Sequence, residues 1–153
     1  MDKRLNEEDF SVTDQREILK TIQTILGTLT VGLAGIAAIS LVVGGIGIMN
    51  IMLVAVSERT REIGLRKALG ATPKSILIQF LIESAVLSTL GGVIGIILGI
   101  LGALALRAFF PATPSIDSIL LAFGVSLLTG IVFGVFPARK AAQLNPIEAL
   151  RYE

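Results

Sequence analysis

Apolar residues run through this chain in long blocks, and the charged residues are gathered between them. No charge occurs between Lys20 and Glu58, between Glu83 and Arg107, or between Asp117 and Arg139, which leaves gaps of 37, 23 and 21 residues. A helix crosses the roughly 30 Å hydrocarbon core with about 20 predominantly apolar residues, so each gap suffices for one span. The pattern predicts an all-α membrane protein with three transmembrane helices, over about 18–56, 74–108 and 117–138. A chain of 153 residues has too little protein left over to bury three such stretches in a soluble core. The first block also differs from a cleaved signal, whose shorter apolar stretch follows a basic start rather than a mixed-charge segment.

The segments between the blocks predict how the spans are joined. Residues 1–20 carry Lys3, Arg4, Arg16 and Lys20 against Asp2, Glu7, Glu8, Asp9, Asp14 and Glu17, a balance of 4 − 6 = −2. Phe10-Ser-Val-Thr13 reads as a short extended piece. Asp14 can then cap a helix that enters through Ile18, Leu19, Ile22, Ile25 and Leu26 at helical spacing. A helix from about Asp14 to Val56 would be roughly 60 Å long at 1.5 Å per residue, so the reading expects a projecting stalk or a break near Gly44-Gly45-Ile46-Gly47.

Residues 58–74 hold Arg59, Arg61, Arg66, Lys67 and Lys74 against Glu58 and Glu62, which by the positive-inside rule makes this short connection cytoplasmic. A short helix over about 58–70 is expected there, with Ser57 capping its first turn, Glu58 at its positive end and Glu62 paired with Arg66. Gly70 is the expected stop, and Thr72-Pro73 the cap and first-turn proline of the next helix. The turn Phe109-Phe-Pro-Ala-Thr-Pro-Ser115 suits the outer side. The third span is expected to end at Pro137-Ala-Arg-Lys140. A cytoplasmic tail over 139–153 follows, in which Asn145-Pro146 starts a short amphipathic helix carrying Ile147, Ala149 and Leu150. Three crossings with both basic flanks on one side put the N-terminus outside and the C-terminus in the cytoplasm. An N-terminus outside without an upstream signal makes Met1 the expected boundary of a fragment.

Composition narrows the chemistry. There is no cysteine and no histidine, and the net charge is +1. Those facts argue against a thiolate or histidine-based site and against an electrostatic nucleic-acid binder. No GxxxxGK[ST] loop is present to cradle nucleotide phosphates. No catalytic, cofactor-binding or metal-ligating residues are proposed. Three features remain as candidates. Gly91, Gly95 and Gly99 repeat every four residues, as do Gly130 and Gly134, and such stripes let helix backbones approach closely; static packing and a sliding seam both fit. Glu83 is an acidic residue inside an apolar helix, either an interfacial anchor or a functional contact, with no partner evident from sequence. The charged connection Ser57–Ala71 is either a solvated, lipid-anchoring loop or a docking element.

Two stretches carry a resemblance. Leu41-Val-Val-Gly-Gly-Ile-Gly-Ile-Met-Asn-Ile-Met-Leu53, running into Val56-Ser-Glu-Arg-Thr-Arg-Glu-Ile-Gly-Leu-Arg-Lys-Ala-Leu-Gly-Ala71, resembles a signature of the MacB/FtsX-like permease family of ABC transporters. Phe133-Gly-Val-Phe-Pro-Ala-Arg-Lys-Ala-Ala142 with Asn145-Pro-Ile-Glu-Ala-Leu150 resembles that family's C-terminal signature. The resemblance implies the last three of four transmembrane helices, over 21–153, with residues 1–20 as the end of an extracytoplasmic domain and the start of a stalk. It implies a coupling helix that contacts a cytoplasmic ABC ATPase domain or subunit through Glu58, Arg59, Arg61, Glu62 and Arg66, with ATP-Mg bound by that partner. It further implies a homodimer or heterodimer of permeases in a bacterial or archaeal inner membrane. The expected role is mechanotransmission, in which ATP-driven motion crosses the bilayer to export or extract a peptide, lipoprotein, macrolide-like or other envelope substrate. An FtsX-like regulator of cell-wall hydrolases is the alternative within the same resemblance, and a stand-alone channel the alternative outside it.

Overall fold

The structure, a computed structural model, describes residues 3–107, 113–145, 147 and 149, with side chains from Gln15 onward. Four helices run through the described residues: α1 (Lys3–Glu58), α2 (Thr60–Ala68), α3 (Pro73–Leu106) and α4 (Ile116–Gln143). Three of them, α1 from Gln15, α3 and α4, are long and apolar enough to cross a membrane. The chain forms two compact units, Met1–Val42 and Val43–Glu153.

The first unit is helical from Lys3. The extended piece expected at Phe10–Thr13 is therefore helix. Its β-branched Val12 and Thr13 cost only tenths of a kcal/mol each, and they are flanked by good helix formers such as Glu7, Glu8, Gln15 and Arg16. Within the apolar stretch the hydroxyls find acceptors locally. Thr21, Thr24, Thr28, Thr30 and Ser40 each donate to the carbonyl four residues back at 2.8–2.9 Å. That removes unsatisfied donors from a lipid-compatible surface. The helix assignment also continues through Gly44–Gly47, where a break was one expectation.

The second unit is built around an antiparallel pair. Thr72 caps α3, accepting from the Ser75 amide at 3.2 Å with Pro73 in the first turn, and Ser115 caps α4 by the same device onto Ser118. Both starts follow from a side-chain oxygen that satisfies one of the four unpaired N–H groups at a helix N-terminus. Phe109–Ala112 of the expected outer turn lie outside the described residues. Between α3 and α4 the contact is made by small residues at four-residue spacing. Ser84 stands against Gly134, Ser88 against Gly130, and Gly92 against Ser126. A Cβ on Gly130 would lie 2.8 Å from the Ser84 carbonyl oxygen, and one on Gly134 would lie 2.6 Å from Ser84 Cβ. Two reciprocal hydrogen bonds join the backbones: Ser88 Oγ donates to the Ser126 carbonyl at 2.5 Å, and Ser126 Oγ donates to the Ser88 carbonyl at 2.7 Å.

Gly130 and Gly134 thus lie in a tight seam, whereas Gly91, Gly95 and Gly99 do not contribute to it. Those three are exposed, with nothing within 4 Å of where a side chain would begin. The neighbouring Ser84-Ser88-Gly92 row supplies the seam instead, because serine is nearly as small as glycine and adds an interhelical hydrogen bond.

At the α2 end of the unit, Met52, Val56, Ile63, Ile76, Phe80, Ala138 and Ala141 form the buried apolar cluster. Further along α1, Gly45 is buried against the Phe133 ring, which occupies the space a Cβ would need. Pro137, expected near the end of the third span, lies inside α4, which continues to Gln143. Its ring is fully buried, and that packing offsets the one backbone hydrogen bond a helix-internal proline forgoes.

Candidate functional site

The passage from α1 into α2 gathers most of the charged candidates. α1 hands over to α2 almost without interruption: the Arg59 amide donates to the Ala55 carbonyl and the Ile63 amide to the Arg59 carbonyl, both at 3.0 Å. Ser57 does not cap α2 as expected. Its hydroxyl donates to the Val54 carbonyl, and no side chain among the described residues caps α2, because backbone bonds carried over from α1 already serve its first turn. α2 ends where Gly70 takes φ +100°, in the left-handed region that favours glycine.

One face of α2 is fixed and the other is open. Ile63 and Gly64 are buried. A Cβ on Gly64 would lie 2.6 Å from Ala149 Cβ, so the tail rests directly on the α2 backbone. That tail is organised by Asn145, which accepts from the Ile147 amide at 3.2 Å through its side chain and from the Ala149 amide at 2.9 Å through its carbonyl. Ala149 is buried and Ile147 exposed, while Pro146, Glu148 and Leu150 of the expected amphipathic helix lie outside the described residues. On the open side, Glu58, Arg59, Arg61, Glu62 and Leu65 line a cleft of about 470 Å³. Leu65 and Leu69 are 52% and 80% exposed. The open side of α2 therefore mixes charged and large apolar side chains.

A polar chain ties α2 to α3. Arg66 bonds Glu62 at 2.5 Å, the expected i,i+4 pair, and also donates to Gln79 Oε1 at 2.8 Å. Gln79 in turn donates to Glu83 at 3.4 Å, and Glu83 pairs with Arg59 at 3.4 Å. Glu83 therefore has a partner that sequence spacing did not reveal. Glu83 itself lies about ten residues, or roughly 15 Å, into α3, and its carboxylate reaches Arg59 at the start of α2. Arg59 and Glu83 are 52% and 34% exposed, and pairs that open to solvent contribute about 0–1 kcal/mol.

Three participants were not anticipated: Leu65, Gln79 and Lys67. Gln79 was legible in retrospect, since it precedes Glu83 by four residues and so shares its face. Lys67 Nζ donates to the Ala142 and Leu144 carbonyls at 2.5 and 2.7 Å, and partial burial lowers its pKa from the usual lysine value. That contact spans 75 residues of sequence, and no periodicity points to it. Among the described residues no group of three or more acidic side chains is placed to hold a metal ion.

The geometry is that of a helical unit with helices long and apolar enough to cross a membrane and an open, charge-lined cleft at one end, and comparison with known sequences gives it a family. The FtsX-like permease C-terminal family matches residues 34–146. The chain belongs to that family. It is 55% identical over 146 residues to the macrolide export ATP-binding/permease protein MacB of Bdellovibrio bacteriovorus, covering 94% of this chain and 22% of that protein. It is 53% identical over 148 residues to the MacB protein of an Azoarcus species, covering 95% of this chain and 22% of the relative. A third relative, the ABC transporter permease YknZ of Bacillus subtilis, is 51% identical over 155 residues, covering 99% of this chain and 39% of YknZ. The chain thus spans between about a fifth and two fifths of these relatives, and it corresponds to their permease part.

Proposed function

We propose that this chain is the force-transmitting transmembrane part of a MacB-type ABC transporter, and that α2 is the helix on which a cytoplasmic ATPase acts. The observation that carries the reading is the two-sidedness of α2. Its buried side is fastened to α3, α4 and the tail, while its open side presents a cleft of Glu58, Arg59, Arg61, Glu62 and Leu65. An element that merely reversed the chain would need neither face. On this reading ATP-Mg is held by the partner, as a fused domain or a separate subunit, and the α2 end lies in the cytoplasm of a bacterial or archaeal cell. The N-terminus lies outside. Two permease chains assemble, and the motion acts on an envelope substrate of peptide, lipoprotein or macrolide-like chemistry.

The test is co-purification with the cognate ATPase in detergent. The substitutions should be Glu58→Ala, Arg61→Ala and Leu65→Ala, because Arg59 and Arg66 also hold α2 in place. Capture by the native chain and a loss of tenfold or more in the triple variant, about 1.4 kcal/mol or more, is the expected result. Equal capture by both would remove the docking surface from α2.

A further inference from the structure

We propose that Lys67 is a positioning residue that makes α2 and the adjoining end of α4 a single mechanical body, so that a push on α2 is delivered to α4. The last carbonyls of a helix lack intrahelical donors. For Ala142 the shortage is covalent, because the residue four positions on is Pro146, which has no N–H. Lys67 supplies the missing donor from another helix and bonds the Leu144 carbonyl as well. Its positive charge also lies at the negative end of the α4 dipole, where a cation is favoured. Gly64, one turn earlier on the same face, is in contact with Ala149. α2 therefore grips both the end of α4 and the tail beyond it.

Apart from Ile63, which packs in the buried apolar cluster with Ala138 and Ala141, the other ties on α2 are polar and weaker. Exposed Arg66 and Arg59 reach half-buried Gln79 and Glu83 on α3, the second pair at 3.4 Å, and solvent and salt loosen bonds made from exposed cations. The turn at Leu69–Ala71 rests on Gly70 at φ +100° and adds no side-chain bond of that residue. Of these three cations Lys67 alone is itself half-buried, and it makes two charge-assisted bonds to backbone carbonyls. The origin of the push rests on the coupling reading above; the clamp itself does not.

The experiment has two arms, both on the full chain in lipid nanodiscs, comparing native protein with Lys67→Met, Lys67→Gln and Lys67→Arg. Hydrogen exchange without any ATPase reads the clamp. Loss of a hydrogen bond from a charged donor should speed exchange at the α2 amides 64–69 and at Ala149 by about tenfold or more in Lys67→Met. Amides 80–92 of the α3–α4 seam should be unaffected, which shows that the variant is folded. Lys67→Arg should recover most of the protection and Lys67→Gln part of it. Unchanged exchange in Lys67→Met, or no better protection in Lys67→Arg, overturns the proposal.

Transmission is read with the ATPase bound. The sequence has no cysteine, so a spin label on Ser118→Cys reports the far end of α4 and one on Ala68→Cys reports α2. The expected result is an ATP-dependent change at both labels in the native chain. In Lys67→Met the change should persist at Ala68→Cys, fall severalfold at Ser118→Cys, and be restored there by Lys67→Arg. A Ser118→Cys response that survives in Lys67→Met refutes delivery through Lys67. Silence at Ala68→Cys in the native chain refutes the coupling reading instead, and with it the push, while the exchange arm still decides the clamp.

Discussion

Substituting Gly134 with alanine tests the α3–α4 seam directly. The new Cβ would lie 2.6 Å from Ser84 Cβ and overlap Ser84 Oγ, and the three nearest atoms it would meet are all side chain. Overpacking of this kind costs about 1–3 kcal/mol, and replacing a mid-helix glycine with alanine returns about 0.5–1 kcal/mol. The net expectation is a destabilisation of up to about 2.5 kcal/mol. Because the nearest obstruction is side chain, moving the methyl group from one helix to the other should remove it. Gly134→Ala combined with Ser84→Gly should be more stable than the two single effects sum to, with a coupling of about 1 kcal/mol or more. Gly130→Ala should be compensated less well by Ser88→Gly, since the Ser84 carbonyl oxygen, 2.8 Å away, is backbone and cannot be deleted. Gly124→Ala, on the same helix with nothing within 4 Å, should be neutral or stabilising. The assay is equilibrium unfolding in mixed micelles, followed by a dye pair on Lys74→Cys and Lys140→Cys. Equal damage from Gly124→Ala and Gly134→Ala would refute this account of the seam, as would failure of the double variant to recover.

Gly70→Ala should destabilise the second unit by about 1 kcal/mol or more, because alanine is strained at φ +100°; the same micelle assay reads it, and a gain in stability would contradict the turn geometry. Glu83→Gln should cost only about 0–1 kcal/mol, and the difference from native should shrink as salt is raised. A loss above about 2 kcal/mol would mean that this carboxylate contributes more than its exposed pair with Arg59 allows.

The spans were legible because a bilayer enforces a crude rule, in which about 20 residues without charge are enough. Helix starts marked by a side-chain oxygen and a proline, such as Thr72-Pro73, and the glycine stop at Gly70 were equally plain, since both signals are local. Phe10–Thr13 misled because a four-residue propensity is outweighed by the helix around it. The glycine stripes were half informative: spacing picks out small residues on a face but not which face meets a neighbour. Counting glycines alone also hid the serines that complete the seam. At the candidate site, the charges of α2 could be read, and Glu62–Arg66 with them, because i,i+4 geometry is set by the helix. Arg59–Glu83 and Lys67–Ala142 could not, since both depend on how separate helices dock.

The seam also constrains how the two helices move. Along α3 the small residues run Ser84, Ser88, Gly92, and along α4 they run Ser126, Gly130, Gly134, so in antiparallel order every pair contains one serine and one glycine. A slip of one turn in one direction would set Ser88 level with Ser126 and disrupt the two reciprocal hydrogen bonds they now make. A slip in the other would set Ser84 opposite Ala138 and leave Gly92 facing Gly130. The first alternative forfeits interhelical hydrogen bonds, and the second crowds Ser84 against alanine while opening a void between two glycines. The register of the pair therefore has one fitted position, and on the force-transmitting reading proposed above α3 and α4 would move together.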